Sequence, residues 1–331
     1  NSINEDIAIV DNVGQTIASL ITDGSITDVD GNVVKAIAIT SVNNSYGTWQ
    51  YKLASGSWAN ISNTTGENIN LNTSALLLNS DSLVRFIPNV NFNGTSTFEF
   101  RAWDKSTGVV GGTTNPFILG GNTSVSSEIK TATITVNAVN DAPTTLAKTI
   151  TIDEDIAFVF TSKDFAFSDV DTADILNSVK IVTLPTLGTI KLNGVAISAE
   201  TVITKADIDA GKLTYISALD GFGTAYSSFS FSVSDGLADS ASATITFDVT
   251  DTNDAPTDIS WASGGSVAEN SALGVIVGQL QASDPNTGET LRFSRVENSK
   301  FIISPTGLVT VAKDAYLDFE KNSTQIIKVK V

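Results

Sequence analysis

The chain contains no cysteine, no histidine and no methionine. The first absence rules out disulfides and thiolate metal sites. The second removes imidazole ligands and every histidine-dependent nucleophile, the Ser-His-Asp triad included. The third leaves no initiator residue, which reads as a piece of a longer polypeptide or a processed product. Basic residues are scarce, 19 against 36 acidic ones, and the net charge of −17 argues against nucleic acid and anionic membranes as partners. No run of about 18 apolar residues occurs. The N-terminal NSINEDIAIV has no basic stretch followed by an apolar one, so neither a membrane span nor a signal peptide is read. Helical periodicity is equally scarce: TSALLLNSD near 73–81 and TKADIDAGK near 204–212 are the two places where it suggests a helical turn.

What is present suits packed cores. The 331 residues are 41% hydrophobic, enough for two or three domains. In STFEFRAWD, SFSFSVSD and ATITFDVT apolar residues alternate with Thr and Ser, the pattern of strands with one buried and one wet face. Short strands of this kind, divided by Gly, Asn and Asp turns, predict an all-β chain of Greek-key β-sandwiches. GTWQYKLASGSW reads as a hairpin. Trp49, Tyr51, Trp58 and Trp103 sit in alternating strands, where core or hairpin-face packing outranks sugar contact.

The same segment recurs. VNAVNDAPTT (136–145) and VTDTNDAPTD (249–258) repeat Asn-Asp-Ala-Pro in a chain with only 7 prolines. Aligned on it, three units appear, over 1–141, 142–254 and 255–331. Each opens on an acidic group, with Glu5, Glu154 and Glu269, and each continues to an acidic triplet: Asp28 and Asp30, Asp169 and Asp171, Asp284 and Asn286. The first unit is longer through a hairpin insertion near 105–128, rich in Gly, Thr and Ser, with Phe117, Ile118 and Leu119 in its middle. The third is shorter, and reads as a C-terminally incomplete sandwich lacking its last two strands.

Carboxylates recurring in phase carry more than solubility. Alternation along an extended segment puts both Asp of Asp-x-Asp on one side, and like charges so gathered repel unless a cation lies between them. With oxygen donors alone on offer, the hard cation Ca²⁺ is selected over Zn²⁺ or Cu²⁺. DVDGNVVKAIAI is no EF-hand, because Val33 stands where that loop needs Gly and Ile39 where it needs Glu. The Gly-Gly-x-Gly-x-Asp nonapeptide is missing as well.

From SVAEN onward the third unit resembles a cadherin repeat, through its AEN start, its SDPN triplet and LDFE, which departs from the family's Leu-Asp-Arg-Glu at Phe319, a non-ligand position. Units one and two are similar to the cadherin-like tandem repeats of giant bacterial adhesins of the RTX type, through DVDGN, RFIPNVNFNG, RAWD, SDVDTAD, VSDG and VNDAP. The resemblance implies Ca²⁺ at the junctions between consecutive units. Carried over, junction one would use Glu5, Asn140, Asp141, Asp169, Asp171 and Asp235; junction two would use Glu154, Asn253, Asp254, Asp284 and Asn286. Asp28, Asp30 and Asp104 would face a preceding linker, and Glu269, Asp318 and Glu320 a following one. Units one and two have no Leu-Asp-x-Glu, so the ligands it supplies are not accounted for at either junction. With five carboxylates against three, junction one is expected to bind the tighter.

The function so implied is a calcium-rigidified extracellular stalk or adhesion segment of a large surface protein, its partners being neighbouring repeats of the same chain. A filament or surface-layer subunit, paired with other copies of itself, and a module binding surface glycans are the alternatives. No enzyme activity is read, since the paired carboxylates fall at unit boundaries rather than in a cleft.

Overall fold

The computed structural model describes residues 1–27, 34–62, 74–115, 123–297, 300–313 and 315–331. The chain forms two compact units, Asn1–Asp141 and Ala142–Val331. It is all-β apart from two short α-helical turns and one short 3₁₀ turn among the described residues.

In the first unit a six-stranded sheet runs in the order Ser2–Asn4, Lys130–Asn137, Gly94–Ala102, Ile37–Val42, Ala75–Leu78, Thr113–Thr114. A four-stranded sheet faces it, in the order Gln15–Thr16, Leu83–Pro88, Gly47–Lys52, Ala59–Asn60. The alternation predicted for STFEF holds: Ser96 and Phe98 are buried and Glu99 is exposed. Phe98 packs with Ile39, Trp49, Leu76 and Phe86 between the sheets. GTWQYK and the strand Ala59–Asn60 pair as the expected hairpin.

The helical reading near 73–81 was wrong. Ala75, Leu76, Leu77 and Leu78 form a strand in which all four are buried. One face meets the main core and the other a second small core of Ala36, Ala38, Trp103 and Val125. The insertion covers that outer face: Leu77 exchanges backbone hydrogen bonds with Gly111 and Gly112, and Trp103 Nε1 donates to Thr107 O at 2.8 Å. A strand buried on both faces loses its alternation, which removes the signal that separates it from a helix. Phe117, Ile118 and Leu119 lie outside the described residues. Trp49 and Trp103 are buried core residues, whereas Trp58 lies over the Arg85 guanidinium, 4.0 Å from ring centroid to Cζ.

In the second unit a five-stranded sheet has the order Lys148–Asp153, Ala243–Thr250, Gly223–Ser234, Ser178–Ile181, Thr201–Thr204. The facing sheet has the order Phe158–Val159, Leu213–Ile216, Thr189–Leu192, Val195–Ala196. Its core is aromatic: Tyr215 stacks on Phe247 at 3.8 Å, with Phe160 and Phe229 around them. The helical turn read near 204–212 is present as Lys205–Asp209, capped by Thr204 accepting from Asp207 N. Further along, Thr257–Gly264, Ile276–Ser283, Leu308–Val311 and Phe301–Ile303 form another sheet. Val277, Phe301, Val309 and Val311 are at the centre of its core.

Candidate metal centre

The strand Lys148–Asp153 ends beside Ala243–Thr250, and the next residue, Glu154, still donates its N–H to Thr250 O at 3.1 Å. That bond turns the Glu154 side chain into the start of the linker, where Oε1 accepts from Thr252 N at 2.8 Å. Glu154 is only 1% exposed, and its Oε2 is buried with no hydrogen-bond partner. Asp254 Oδ2 is in the same condition. Buried carboxylate oxygens are costly unless something pairs with them.

Two residues that the sequence reading missed join Asp254. Asp155, Asp220 and Asp254 each place a carboxylate oxygen within 4.8 Å of the others. Asp155 and Asp220 both adopt left-handed backbone, with φ of 56° and 52°, which side chains other than Gly rarely take without a reason. Asp220 N donates to Asp155 Oδ1 at 3.3 Å, tying the two turns together. Asp155 directly follows Glu154 in the sequence, and Asp220 stands before Gly221 in a turn; neither signal told of their meeting across the sandwich end. Among the described residues no ion pair engages Glu154, Asp155, Asp220 or Asp254.

The electrostatics follow. Burial pushes the Glu154 carboxyl up; the Thr252 N–H opposes this, while the carboxylates of Asp251 and Asp254 add to the rise. Asp254 is raised by burial and then by Asp220, Asp155, Asp251 and Asp284. Asn286 holds the linker. Its Oδ1 accepts from Asp254 N at 2.6 Å, and its Nδ2 donates to Asp251 Oδ1 and Thr252 O, so it clamps the linker. Asp284 Oδ1 accepts from Asn286 N, and Asn253 Nδ2 donates to Asp254 O at 2.8 Å.

The first unit repeats part of this geometry. Glu5 donates its N–H to Asn137 O, accepts from Val139 N at 2.7 Å through Oε1, and leaves Oε2 buried without a partner. Asn140 Nδ2 donates to Asp141 O at 2.7 Å, as Asn253 does to Asp254. Asp104 Oδ1 accepts from Ser106 N in a tight turn. Asp28 and Asp30 lie outside the described residues.

In the second unit Asp169 and Asp171 are brought together, with Asp174 as an unforeseen third within 4.8 Å. Burial raises the Asp174 carboxyl, and Asp171, Asp169 and Asp235 raise it further. Asp235 Oδ1 is occupied by the N–H groups of Leu237 and Ala238. Glu269, Asp318 and Glu320 converge as their motif implies, with Phe319 N donating to Glu269 Oε2 at 3.1 Å. All of these sets offer oxygen alone, the donor chemistry of Ca²⁺ or Mg²⁺. The partnerless oxygens of Glu154 and Asp254 are what a bound cation would satisfy, so the residues fit such an ion.

Residues 143–250 match a family model described as cadherin-like. Solved structures similar to this chain include the protocadherin GammaB4 extracellular domain, with 14% identity, a TM-score of 0.43, and coverage of 88% of this chain and 40% of that one. Human CDH23 EC21-23 is similar at 17% identity and a TM-score of 0.44, covering 96% of this chain and 88% of that one. Mouse Protocadherin-24 EC1-3 gives 15%, 0.41, 83% and 78%. The chain thus spans less than half of the protocadherin GammaB4 structure. No curated protein sequence matches. Among the described residues no helix is long and apolar enough to cross a membrane.

Proposed function

We propose that this chain is an extracellular, calcium-stiffened stalk or adhesion segment of a large bacterial surface protein, built of cadherin-like repeats. The observation that carries the reading is the cluster of Asp155, Asp220 and Asp254 beside the buried, partnerless Glu154 Oε2. Glu154, Asp155, Asp220 and Asp254 would hold Ca²⁺, with Asp251 and Asp284 near enough to shift Asp254's protonation. Asp155 and Asp220 would take the place of the missing Leu-Asp-x-Glu carboxylates. Glu5 in the first unit, and Asp169, Asp171 and Asp174 in the second, are proposed as further cation ligands. The ion would neutralise repelling carboxylates and tie the linker at 251–256 to the turns on either side of it. Because it binds the ordered arrangement alone, it stabilises that arrangement by mass action.

Calcium titration by calorimetry, followed by small-angle scattering with calcium and with chelator, tests this. Saturable binding, and a radius of gyration with a narrower spread in calcium, are expected. Absence of binding at millimolar calcium, or identical scattering in both states, would overturn the reading.

A further inference from the structure

The two units differ in how they fill the space between their sheets. In the first, Phe98 stands opposite Ala132 and Ser96 opposite Ile134. In the second, Phe229 stands opposite Ile245 and Ser227 opposite Phe247. Both Ser are buried at the same ladder position, so Ala132 corresponds to Ile245 and Ile134 to Phe247. The second unit fills this space with rings, since Phe247 is fully buried and stacked on Tyr215 at 3.8 Å with an interplanar angle of 5°. The first unit has smaller side chains there, and Ala132 and Ile134 are only half-buried.

A cavity of about 200 Å³ results, opening at the edge of the sandwich. Its walls include Ile3, Leu20, Trp49, Val84, Ala132 and Ile134. The one polar atom of the Trp49 side chain is already used, as Nε1 donates to Ser96 Oγ at 3.0 Å. Asn1, Asp11, Asn12, Gln15, Arg85 and Thr133 also line the cavity, but most of its exposed lining is apolar, so water gains little there. Close-packed interiors seldom keep a void of this size, and an apolar cavity of ~150 Å³ suffices to hold one benzene.

We propose that the first unit binds a small uncharged aromatic molecule of one ring in this cavity, in the place that the Phe247 ring takes in the second unit. The slot lies between two sheets, as the Phe247–Tyr215 stack does, and so admits a flat group with Trp49 as an aromatic wall. The site is independent of the cation ligands.

Toluene is a suitable probe, titrated against the whole chain by ligand-observed NMR and by thermal unfolding. Wild type should show saturable binding. Ile134→Phe and Ala132→Ile, which restore the second unit's side-chain sizes, should each weaken toluene at least tenfold and raise the first unit's Tm without ligand by about 2–4 °C. No saturable binding to wild type, unchanged affinity in both variants, or a lowered Tm in both would overturn the proposal. Should both variants fail to fold, crystals of wild type under xenon decide it: density beside Ile134 supports the site and its absence refutes it.

Discussion

Glu154→Gln should stabilise the second unit in chelator and by distinctly less when the metal centre is occupied. The wild-type side chain is 1% exposed, donates nothing, and is satisfied at Oε1 by Thr252 N alone. Its other oxygen is buried beside the carboxylates of Asp251 and Asp254. Replacing the charge with an isosteric amide removes a repulsion and supplies N–H donors toward those neighbours. Relieving one buried, unsatisfied polar group is worth about 1–3 kcal/mol. At roughly 2–4 °C per kcal/mol for a unit of this size, the variant should melt several degrees above wild type in chelator. In calcium the variant's advantage shrinks. A ligand at a hundredfold excess over its dissociation constant stabilises by about 2.7 kcal/mol. A tenfold weaker site loses about 1.4 kcal/mol of that. Differential scanning calorimetry of both proteins, with chelator and with calcium, reads all four states, and the first unit's transition serves as an internal reference. A variant less stable than wild type in chelator would refute the repulsion argument. An unchanged calcium shift would remove Glu154 from the ligand set.

Chelation should expose the linker at 251–256 to limited proteolysis while both sandwich cores stay folded; an identical cleavage pattern in calcium and chelator would count against cation-dependent ordering. Asp164 is raised by burial, but Lys148 Nζ at 2.8 Å and the N–H and Oγ1 of Thr161 outweigh this and hold it below its usual range. A lowered folded-state value means stability that is present above the ordinary value of 3.8 and lost as pH falls through the folded one. Asp164→Asn should therefore cost about 1–3 kcal/mol at neutral pH and progressively less below that value, measured as the Tm difference across a pH series. Gly14→Ala should destabilise the first unit by about 1–3 kcal/mol in urea unfolding, because φ is +74° and a Cβ would lie 2.6 Å from the Trp58 ring and 2.7 Å from Val84 O; an unchanged midpoint would show that the chain there shifts freely.

Much of the fold was legible because its cause is local. Alternation in STFEF and ATITFDVT marks strands wherever one face is wet, and Thr204 with Asp207 marks the start of a helical turn. Ala75 to Leu78 were not legible, since the insertion that buries their second face, with Trp103 and Val125, comes from elsewhere in the chain.

The sequence by itself determined the oxygen-only donor chemistry, the recurrence of Glu5, Glu154 and Glu269, and the all-β class. Its resemblance to a cadherin repeat implied that Glu269, Asp318 and Glu320 belong together, and they converge. Tertiary structure decided which carboxylates meet. Asp155 and Asp220 are 65 residues apart and come together because the turns at one end of a sandwich converge. Asn286 holds the linker for the same reason: the backbone of Asp254 and Thr252 is brought to it by folding. Spacing along a chain records what a strand or a turn needs, whereas an ion is held by whatever oxygens the packed sheets carry to one point.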